Sequence, residues 1–154
     1  MNIQSQLDEM GIRYQLRCHP TAYTAADLAA KEHIPGREVI KPVVIQADGQ
    51  FVMCALPASH RIDLDELQKQ LMAREVKLVD EPTLADLCRH AECEMGAEPP
   101  VGPMFGMATL MDESLLQDNQ VTFQAGTHEE AVTMSLADYR KLAKAEIAHF
   151  GRHL

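Results

Sequence analysis

The sequence predicts an α+β (mixed α/β) fold, in which a mixed β-sheet of about six or seven strands is flanked by helices. Short apolar runs rich in β-forming residues are interspersed irregularly with about four or five helical segments. Neighbouring strands within residues 39–56 and 121–134 form predicted hairpins, so the regular βαβ alternation of a parallel sheet is absent. The length of 154 residues suits a single domain spanning residues 1–154.

The first third of the chain predicts two helices and one strand. Residues 3–10 have apolar side chains at helical spacing, and Gly11 ends that helix. Residues 12–17 alternate apolar and polar side chains, which is typical of a half-buried strand. Thr24 is the predicted N-cap of a helix over residues 25–33.

A central hairpin is predicted between Arg37 and His60. Asp48-Gly49 is a turn dipeptide between two nearly continuous apolar runs, so both strands should be covered on both faces. Lys41 is a charged residue inside the first run, and two interpretations of it remain open. Its ammonium either reaches solvent from the entry of the strand or is a fixed cation in the wall of a cleft.

The middle of the chain predicts a scaffold followed by a shaped loop. A helix over residues 64–74, capped by Asp63, precedes a short strand over residues 75–79 and a helix beginning at Glu81. Residues 94–106 then contain three glycines and three prolines in thirteen residues. A segment of that composition cannot be a regular helix or a central strand, and long loops are more often functional than idle.

The C-terminal part predicts three more strands and a last helix. The strands cover residues 107–111, 121–125 and 131–134, and the helix covers residues 136–147. The tail, residues 148–154, has no predicted partner in the sheet.

Composition restricts the classes of function. The net charge of −9 argues against broad, sequence-independent nucleic-acid binding, so DNA is not an expected partner, although one end of an RNA could be held at a small basic site. The chain has no apolar run of 18 residues and no leader-like N-terminus, so we expect a cytoplasmic protein without a membrane partner. Four cysteines without a leader suit a reducing compartment.

Cys88, His90 and Cys93 are the one candidate metal cluster in the sequence. A closed zinc site usually needs a second pair of ligands, and Cys18-His19 is a poor substitute for it. Glycine-rich phosphate loops and the GxSxG nucleophile motif are also missing. We therefore expect neither a metal nor any other cofactor.

Four pieces of sequence, taken in order, resemble the YbaK/ProX family of aminoacyl-tRNA deacylases, whose domain is also inserted in bacterial prolyl-tRNA synthetases. The resemblance extends from about Thr21 to Leu142. The pieces are Thr24…Pro35-Gly36…Lys41, then Leu56-Pro57-Ala58-Ser59-His60-Arg61, then Gly96-Ala97-Glu98-Pro99-Pro100-Val101-Gly102, then Ala125-Gly126-Thr127-His128. The resemblance implies a mixed, partly closed barrel-like sheet flanked by helices.

The resemblance also implies a function, namely hydrolysis of the ester of a misacylated tRNA, which maintains translation fidelity. Lys41 is the implied catalytic residue. The implied substrate-binding residues are Thr24, His60, Gly96, Pro99, Pro100, Gly102, Gly126, Thr127 and His128. The implied partner is the 3′ end of an aminoacyl-tRNA, with an aminoacyl-tRNA synthetase as a second candidate. In the family, the substrate's own ribose hydroxyl or thiol is proposed to assist the reaction.

Two departures from the family pattern leave the amino acid open. Pro42 follows the lysine where Thr or a similar residue is usual, and Val101 follows the Pro-Pro pair where an aromatic residue is common. The alternative function is a non-catalytic module that binds aminoacyl-tRNA or a free amino acid, or that acts as a partner of a synthetase.

Overall fold

The computed structural model describes residues 2–154, within which the chain forms five α-helices and ten β-strands. The helices are α1 Ile3–Met10, α2 Ala25–Lys31, α3 Leu64–Leu71, α4 Glu81–Ala91 and α5 Leu136–Ala143. The strands are β1 Gln15–Cys18, β2 Ile40–Ala47, β3 Gln50–Pro57, β4 His60–Ile62, β5 Val76–Leu78, β6 Ala108–Asp112, β7 Gln120–Gln124, β8 Glu130–Ser135, β9 Glu146–Ala148 and β10 Gly151–His153.

The central sheet has five strands in the order β5-β2-β3-β6-β9. Strands β2 and β3 form the predicted hairpin, and Asp48 (φ 48°) and Gly49 (φ 83°) both adopt the left-handed conformation that a tight two-residue turn requires. Strand β5 is antiparallel to β2, whereas β6 is parallel to both β3 and β9. The prediction of a mixed sheet is confirmed.

The other strands form two smaller antiparallel sheets, β1-β8-β7 and β4-β10. A single parallel bridge between Val39 and Thr122 links the start of β2 to β7. The expectation of one partly closed, barrel-like sheet of six or seven strands is therefore wrong, since residues 2–154 form three separate sheets and no closed barrel. One bridge is too little pairing to continue the ladder from one sheet into the next.

The apolar side chains form three clusters around the central sheet. The largest packs α1 and α5 against β7 and β8, with the rings of Phe123 and Tyr139 5.7 Å apart. A second cluster packs α2 against Val39. The third packs Leu67 of α3 against Leu56, with Phe150 of the C-terminal segment beside them. Both faces of the hairpin are thus covered, as its apolar runs predict.

The predicted first residues of the helices agree with the structure better than the predicted last residues. Thr24, Asp63 and Ser135 each accept a hydrogen bond from the backbone N–H three residues later, as N-caps do. The predicted helix over residues 64–74 ends at Leu71, where Met72 adopts a left-handed conformation. The predicted helix over residues 25–33 likewise ends earlier, at Lys31.

The C-terminal end differs most from the prediction. Helix α5 stops at Ala143 because Lys144 (φ 50°) is left-handed, so the predicted helix over residues 136–147 is wrong beyond that point. The tail is not unpaired, because β10 forms a ladder with β4. The predicted strand over residues 12–17 is shifted to Gln15–Cys18, and its Leu16 is 42% exposed.

Candidate functional site

The start of strand β2 directs two adjacent side chains to opposite faces of the central sheet. Lys41 is in register with Leu56, which belongs to the cluster around Phe150. Pro42 is in register with Ala55, which belongs to the cluster around Phe123. Because successive side chains of a strand point to opposite faces of the sheet, Lys41 and Pro42 lie on different faces.

One backbone edge of this part of β2 is open. Strand β5 pairs with Ile45–Ala47, the N–H of Val79 donates to the carbonyl oxygen of Val44, and the bridge to β7 is at Val39. The segment between them includes Pro42, which has no N–H to offer and is compatible with a strand edge. Within residues 2–154, the backbone of residues 40–43 therefore has no strand partner on this side.

On the first face, the ammonium of Lys41 is half-buried. It donates a hydrogen bond to the carbonyl oxygen of His60, and burial lowers its pKa. Among residues 2–154, no ion pair involves Lys41. Its recorded hydrogen-bond partner is thus a neutral carbonyl oxygen and not a carboxylate.

The imidazole of His60 lies beside this cation. Burial, His153 and Lys41 lower its pKa, and Asp112 acts in the opposite direction. The ring is 5.0 Å from that of His153, its neighbour in the β4-β10 ladder. A cavity of about 340 Å³ lies next to it, lined in part by Ser114.

Asp112 and Glu113 are the two carboxylates that line this cavity, and the oxygens of Asp112 are already occupied. It accepts hydrogen bonds from the backbone N–H groups of Phe150, Gly151 and Ser114 and from the Ser114 hydroxyl. Although burial alone would raise the pKa of Asp112, these bonds hold it below its ordinary value. The carboxylate therefore holds the C-terminal segment in place and has little capacity left for a ligand.

On the second face, the loop after α4 is fixed by hydrogen bonds along its length. The hydroxyl of Tyr139 donates to the carbonyl oxygen of Pro100. The N–H of Gly102 donates to the Thr109 hydroxyl at 2.7 Å. A Cβ at residue 102 would lie 2.5 Å from the carbonyl oxygen of Met107, so only glycine fits there. This loop has one defined shape, as its composition predicts.

His128 connects this loop to the segment before α2. Its Nδ1 lies 3.0 Å from the carbonyl oxygen of Ala22, and its Nε2 lies 2.8 Å from that of Met95. Gly96 (φ 87°) packs so closely that a Cβ there would meet Cε1 of His128 at 3.1 Å. The ring of Tyr23 covers the imidazole with a centroid separation of 5.1 Å.

The turn that carries His128 is itself bonded to the loop. Gly126 (φ 97°) donates its N–H to the carbonyl oxygen of Ala97 and accepts from the N–H of Glu94. The Thr127 hydroxyl donates to Glu130. The turn and the loop therefore form one rigid unit.

A smaller cavity of about 210 Å³ lies where this unit meets β2. Its walls include Pro42, Val44, Leu78 and Leu84, and Glu98 is the charged residue among its lining residues. The side chain of Glu98 is buried, with 5% of the residue exposed.

The structure brings the predicted site residues into two groups. Gly96, Pro99, Pro100, Gly102, Gly126, Thr127 and His128 lie in the loop-and-turn unit. Lys41 and His60 lie together on the other face of β2. The hydroxyl of Thr24 is used as the cap of α2.

Sequence reasoning missed two residues of these surfaces, Tyr23 and Glu98. For Glu98 a signal was present, because it is a lone acid between Ala97 and Pro99 in a rigid, largely apolar loop. For Tyr23 there was none, because its contact with His128 joins residues 105 positions apart, a separation no local pattern shows.

The cysteine cluster does not form a metal site in the part of the chain that the structure describes, where no three His, Cys, Asp or Glu side chains are arranged to hold a metal ion. His90 is exposed on α4, whereas Cys88 is buried. The pKa of the Cys88 thiol is raised, first by its hydrogen bond with Cys93 and then by burial. A protonated thiol is a poor metal ligand.

Comparison with known families gives one match. The model of the aminoacyl-tRNA editing domain matches residues 19–142, which include both groups of site residues. No curated protein matches the chain. In residues 2–154, no helix has both the length and the apolar character needed to cross a membrane.

Solved structures share the fold at low sequence identity. The crystal structure of hypothetical protein APE2540 has a TM-score of 0.83 and 17% identity, covering 97% of this chain and 99% of that one. A structure described as a putative trans-editing enzyme for prolyl tRNA synthetase has a TM-score of 0.82 and 19% identity, covering 97% and 94%. A putative signal transduction protein from Marinobacter aquaeolei VT8 has a TM-score of 0.77 and 17% identity, covering 96% of this chain and 30% of that one.

Proposed function

Because this chain belongs to the aminoacyl-tRNA editing domain family, we propose that it is a deacylase that hydrolyses the ester of a misacylated tRNA in trans. The fold that it shares with a structure described as a putative trans-editing enzyme for prolyl tRNA synthetase supports tRNA-Pro as the first substrate to test. The proposed partner is the 3′ end of the aminoacyl-tRNA, with a synthetase as a further candidate. The proposed location is the cytoplasm.

The observation that carries the proposal is the half-buried ammonium of Lys41 at the open edge of β2. A buried cation is costly unless a partner compensates it, and the partner of Lys41 is a neutral carbonyl oxygen. A terminal phosphate, the ester carbonyl or the oxyanion that develops during hydrolysis would complete its coordination. We assign Lys41 the role of catalytic cation.

The loop-and-turn unit is proposed to select the amino acid. Its shape is fixed by Tyr139, Thr109 and His128, so it can accept one aminoacyl group and reject another by fit. The residues proposed to bind substrate are Thr24, His60, Gly96, Pro99, Pro100, Gly102, Gly126, Thr127 and His128. Thr24 and Thr127 act through backbone position, because both hydroxyls have partners within the protein.

The proposed reaction is an attack by water on the ester carbonyl. The tetrahedral oxyanion that forms is stabilised by Lys41, and its collapse breaks the bond to the terminal ribose oxygen. The proton lost by water ends on that oxygen, so the products are the free amino acid and a tRNA with a free 3′ end. The neighbouring ribose hydroxyl, or a thiol in a cysteinyl substrate, relays the proton, and the protein supplies position.

Deacylation of a panel of misacylated tRNAs tests the proposal. We expect release of alanine, cysteine or serine from tRNA-Pro, with Pro-tRNA-Pro spared, followed as loss of acid-precipitable labelled amino acid. Tight binding to the same tRNAs without release of any amino acid would instead show a non-catalytic module. Because of the charge of −9, we expect affinity for uncharged tRNA to be weak and to fall further with salt.

A further inference from the structure

Helix α4 ends in a Schellman motif, and a cysteine occupies each of the two positions that this motif brings together. Glu92 (φ 57°) is left-handed, and its N–H donates to the carbonyl oxygen of Arg89 at 3.3 Å. The N–H of Cys93 donates to the carbonyl oxygen of Cys88 at 3.0 Å. The side chains of the two residues joined by this second bond commonly pack against each other. The end of the helix therefore directs Cys88 and Cys93 towards one another.

The two side chains interact as thiols. A hydrogen bond with Cys93 is the first cause of the raised pKa of the Cys88 thiol, and burial is the second. Both cysteines are free, but Cys93 is partly exposed, whereas only 2% of Cys88 is exposed. The Cys88 thiol also donates to Oε1 of Glu98 at 3.5 Å. A reagent from solvent can therefore reach Cys93 first, with Cys88 next to it.

Packing alone accounts for only one member of this pair. A buried cysteine such as Cys88 fills space as a small apolar residue does, but Cys93 is partly exposed. A disulfide requires two cysteines whose side chains face each other at short range, and the end of α4 supplies such a pair. In a reducing compartment, a disulfide is usually transient and serves catalysis or redox sensing.

We infer that Cys88 and Cys93 form a reversible disulfide, which makes the end of α4 a redox-sensitive modification site. The oxidant is a small disulfide such as oxidised glutathione. After losing its proton to solvent, Cys93 attacks one sulfur of the oxidant, and one glutathione thiolate leaves. Cys88 then attacks the Cys93 sulfur of the mixed disulfide, its proton goes to Glu98, and the second glutathione thiolate leaves. Both thiolates take up protons from solvent, so one disulfide is reduced as the other forms.

Oxidation of this pair would also reach the loop after α4. In the reduced form, Oε1 of Glu98 accepts hydrogen bonds from the Cys88 thiol and from the N–H of Gly96 at 2.8 Å. The disulfide removes the thiol donor from this buried carboxylate. Cys93 also adjoins the next turn, because a Cβ at Gly126 would lie 3.6 Å from the Cβ of Cys93. We therefore expect the amide NMR signal of Gly96, which shares the oxygen of Glu98, to shift on oxidation.

The test treats the purified protein with oxidised glutathione, blocks the remaining thiols and digests the protein with trypsin. Because Arg89 lies between the two cysteines, trypsin places them on separate peptides, residues 78–89 and residues 90–140. The expected result is a cross-link between these two peptides that dithiothreitol reverses. No tRNA is involved, so the result does not depend on the proposed function.

Three variants separate the steps of the oxidation. Cys93→Ala should leave Cys88 unmodified, because the accessible thiol of the pair is gone. Cys88→Ala should stop at the mixed disulfide of Cys93 with glutathione, because the second thiol is missing. Cys18→Ser is the control, since it removes an exposed cysteine outside the pair, and it should form the same cross-link as the wild type. Thermal unfolding shows whether each reduced variant is folded.

Two results would overturn the inference. One is a wild type that ends with glutathione on Cys93 and no cross-link, and the other is a disulfide that joins either cysteine to Cys18. Cys93→Ala changes a partly exposed residue, so it keeps the test decisive if Cys88→Ala does not fold. A Gly96 signal that stays in place when the cross-link forms would overturn the coupling to the loop.

Discussion

The two faces of strand β2 carry groups of opposite charge next to the adjacent residues Lys41 and Pro42. On the Lys41 face, the Lys41 ammonium lies near histidine side chains, and the oxygens of Asp112 accept hydrogen bonds from backbone N–H groups. On the Pro42 face, a carboxylate lies among apolar side chains. The charged end of an aminoacyl-tRNA carries phosphates and an ammonium, so one strand edge offers the complement of each. Under the proposed function, the two faces would bind two different parts of one substrate.

The largest expected effect is that of Lys41→Met on the rate. Methionine keeps the aliphatic stem and removes the charge, so the free energy of unfolding should change little, whereas loss of one oxyanion donor costs on the order of a hundredfold in kcat. Single-turnover deacylation measures the rate. Lys77→Met, at a lysine whose side chain is 59% exposed, is the control and should be fully active. Full turnover by Lys41→Met would remove this face from the mechanism.

The next effect concerns the contact between Gly96 and His128. Alanine at residue 96 would be strained at φ 87° and would press on the imidazole, whereas Gly106 (φ 71°) has nothing within 4 Å of its Cβ position. Both Gly→Ala changes should cost about 1 kcal/mol of unfolding free energy. Only Gly96→Ala should also slow deacylation, on the order of tenfold, because it displaces the loop.

Denaturant unfolding and deacylation rates, measured on both glycine variants, check this difference. Equal loss of activity in Gly96→Ala and Gly106→Ala would mean that loop stability matters and that the contact with His128 does not.

The third prediction is a change in selectivity without a change of fold. Replacing Pro99 and Pro100 by alanine should loosen the loop and lower the ratio of alanyl to seryl deacylation several-fold. Each replacement should cost about 0.4–1 kcal/mol of unfolding free energy, through the entropy of the unfolded chain. The Pro100 carbonyl remains available to Tyr139.

Pro103→Ala is the matched control for the proline pair, because Pro103 is exposed in the same loop. Its selectivity should equal that of the wild type. If the double variant is unfolded in a melting experiment, the Pro-Pro pair is scaffold.

The sequence predicts those parts of the fold that local chemistry determines. The hairpin follows from Asp48-Gly49 between two apolar runs, and the caps at Thr24 and Asp63 follow from side chains that bond within three residues. Strand β10 was missed because it has three residues and exists through pairing with β4, with Arg152 opposite Arg61. Such pairing between distant segments leaves no local pattern.

For the candidate site, the sequence supplies a list of residues, which stays a prediction, and it does not supply their arrangement. The motif resemblance selects Lys41 and the loop as candidates. The face of the sheet on which each one lies depends on the register of β2 with β3. The burial of Glu98 likewise depends on how α4 and β5 pack against β2. Both depend on tertiary packing, so the assignment of these residues to two faces comes from the structure and not from the sequence.

The smallest expected effect tests whether the two faces are electrostatically separate. Burial, His153 and Lys41 lower the pKa of His60, so Lys41→Met should raise that pKa, whereas Glu98→Gln should leave it unchanged. A histidine whose pKa is lowered by folding binds protons more readily in the unfolded chain. Its contribution to stability is therefore lost as the pH falls below the unfolded value of about 6.5. That acid-side loss should shrink in Lys41→Met. Titration of the His60 ring protons by NMR, with denaturant unfolding at matched pH values, measures both quantities. If the pKa of His60 changes in Glu98→Gln and not in Lys41→Met, the prediction that the two faces are electrostatically separate is wrong.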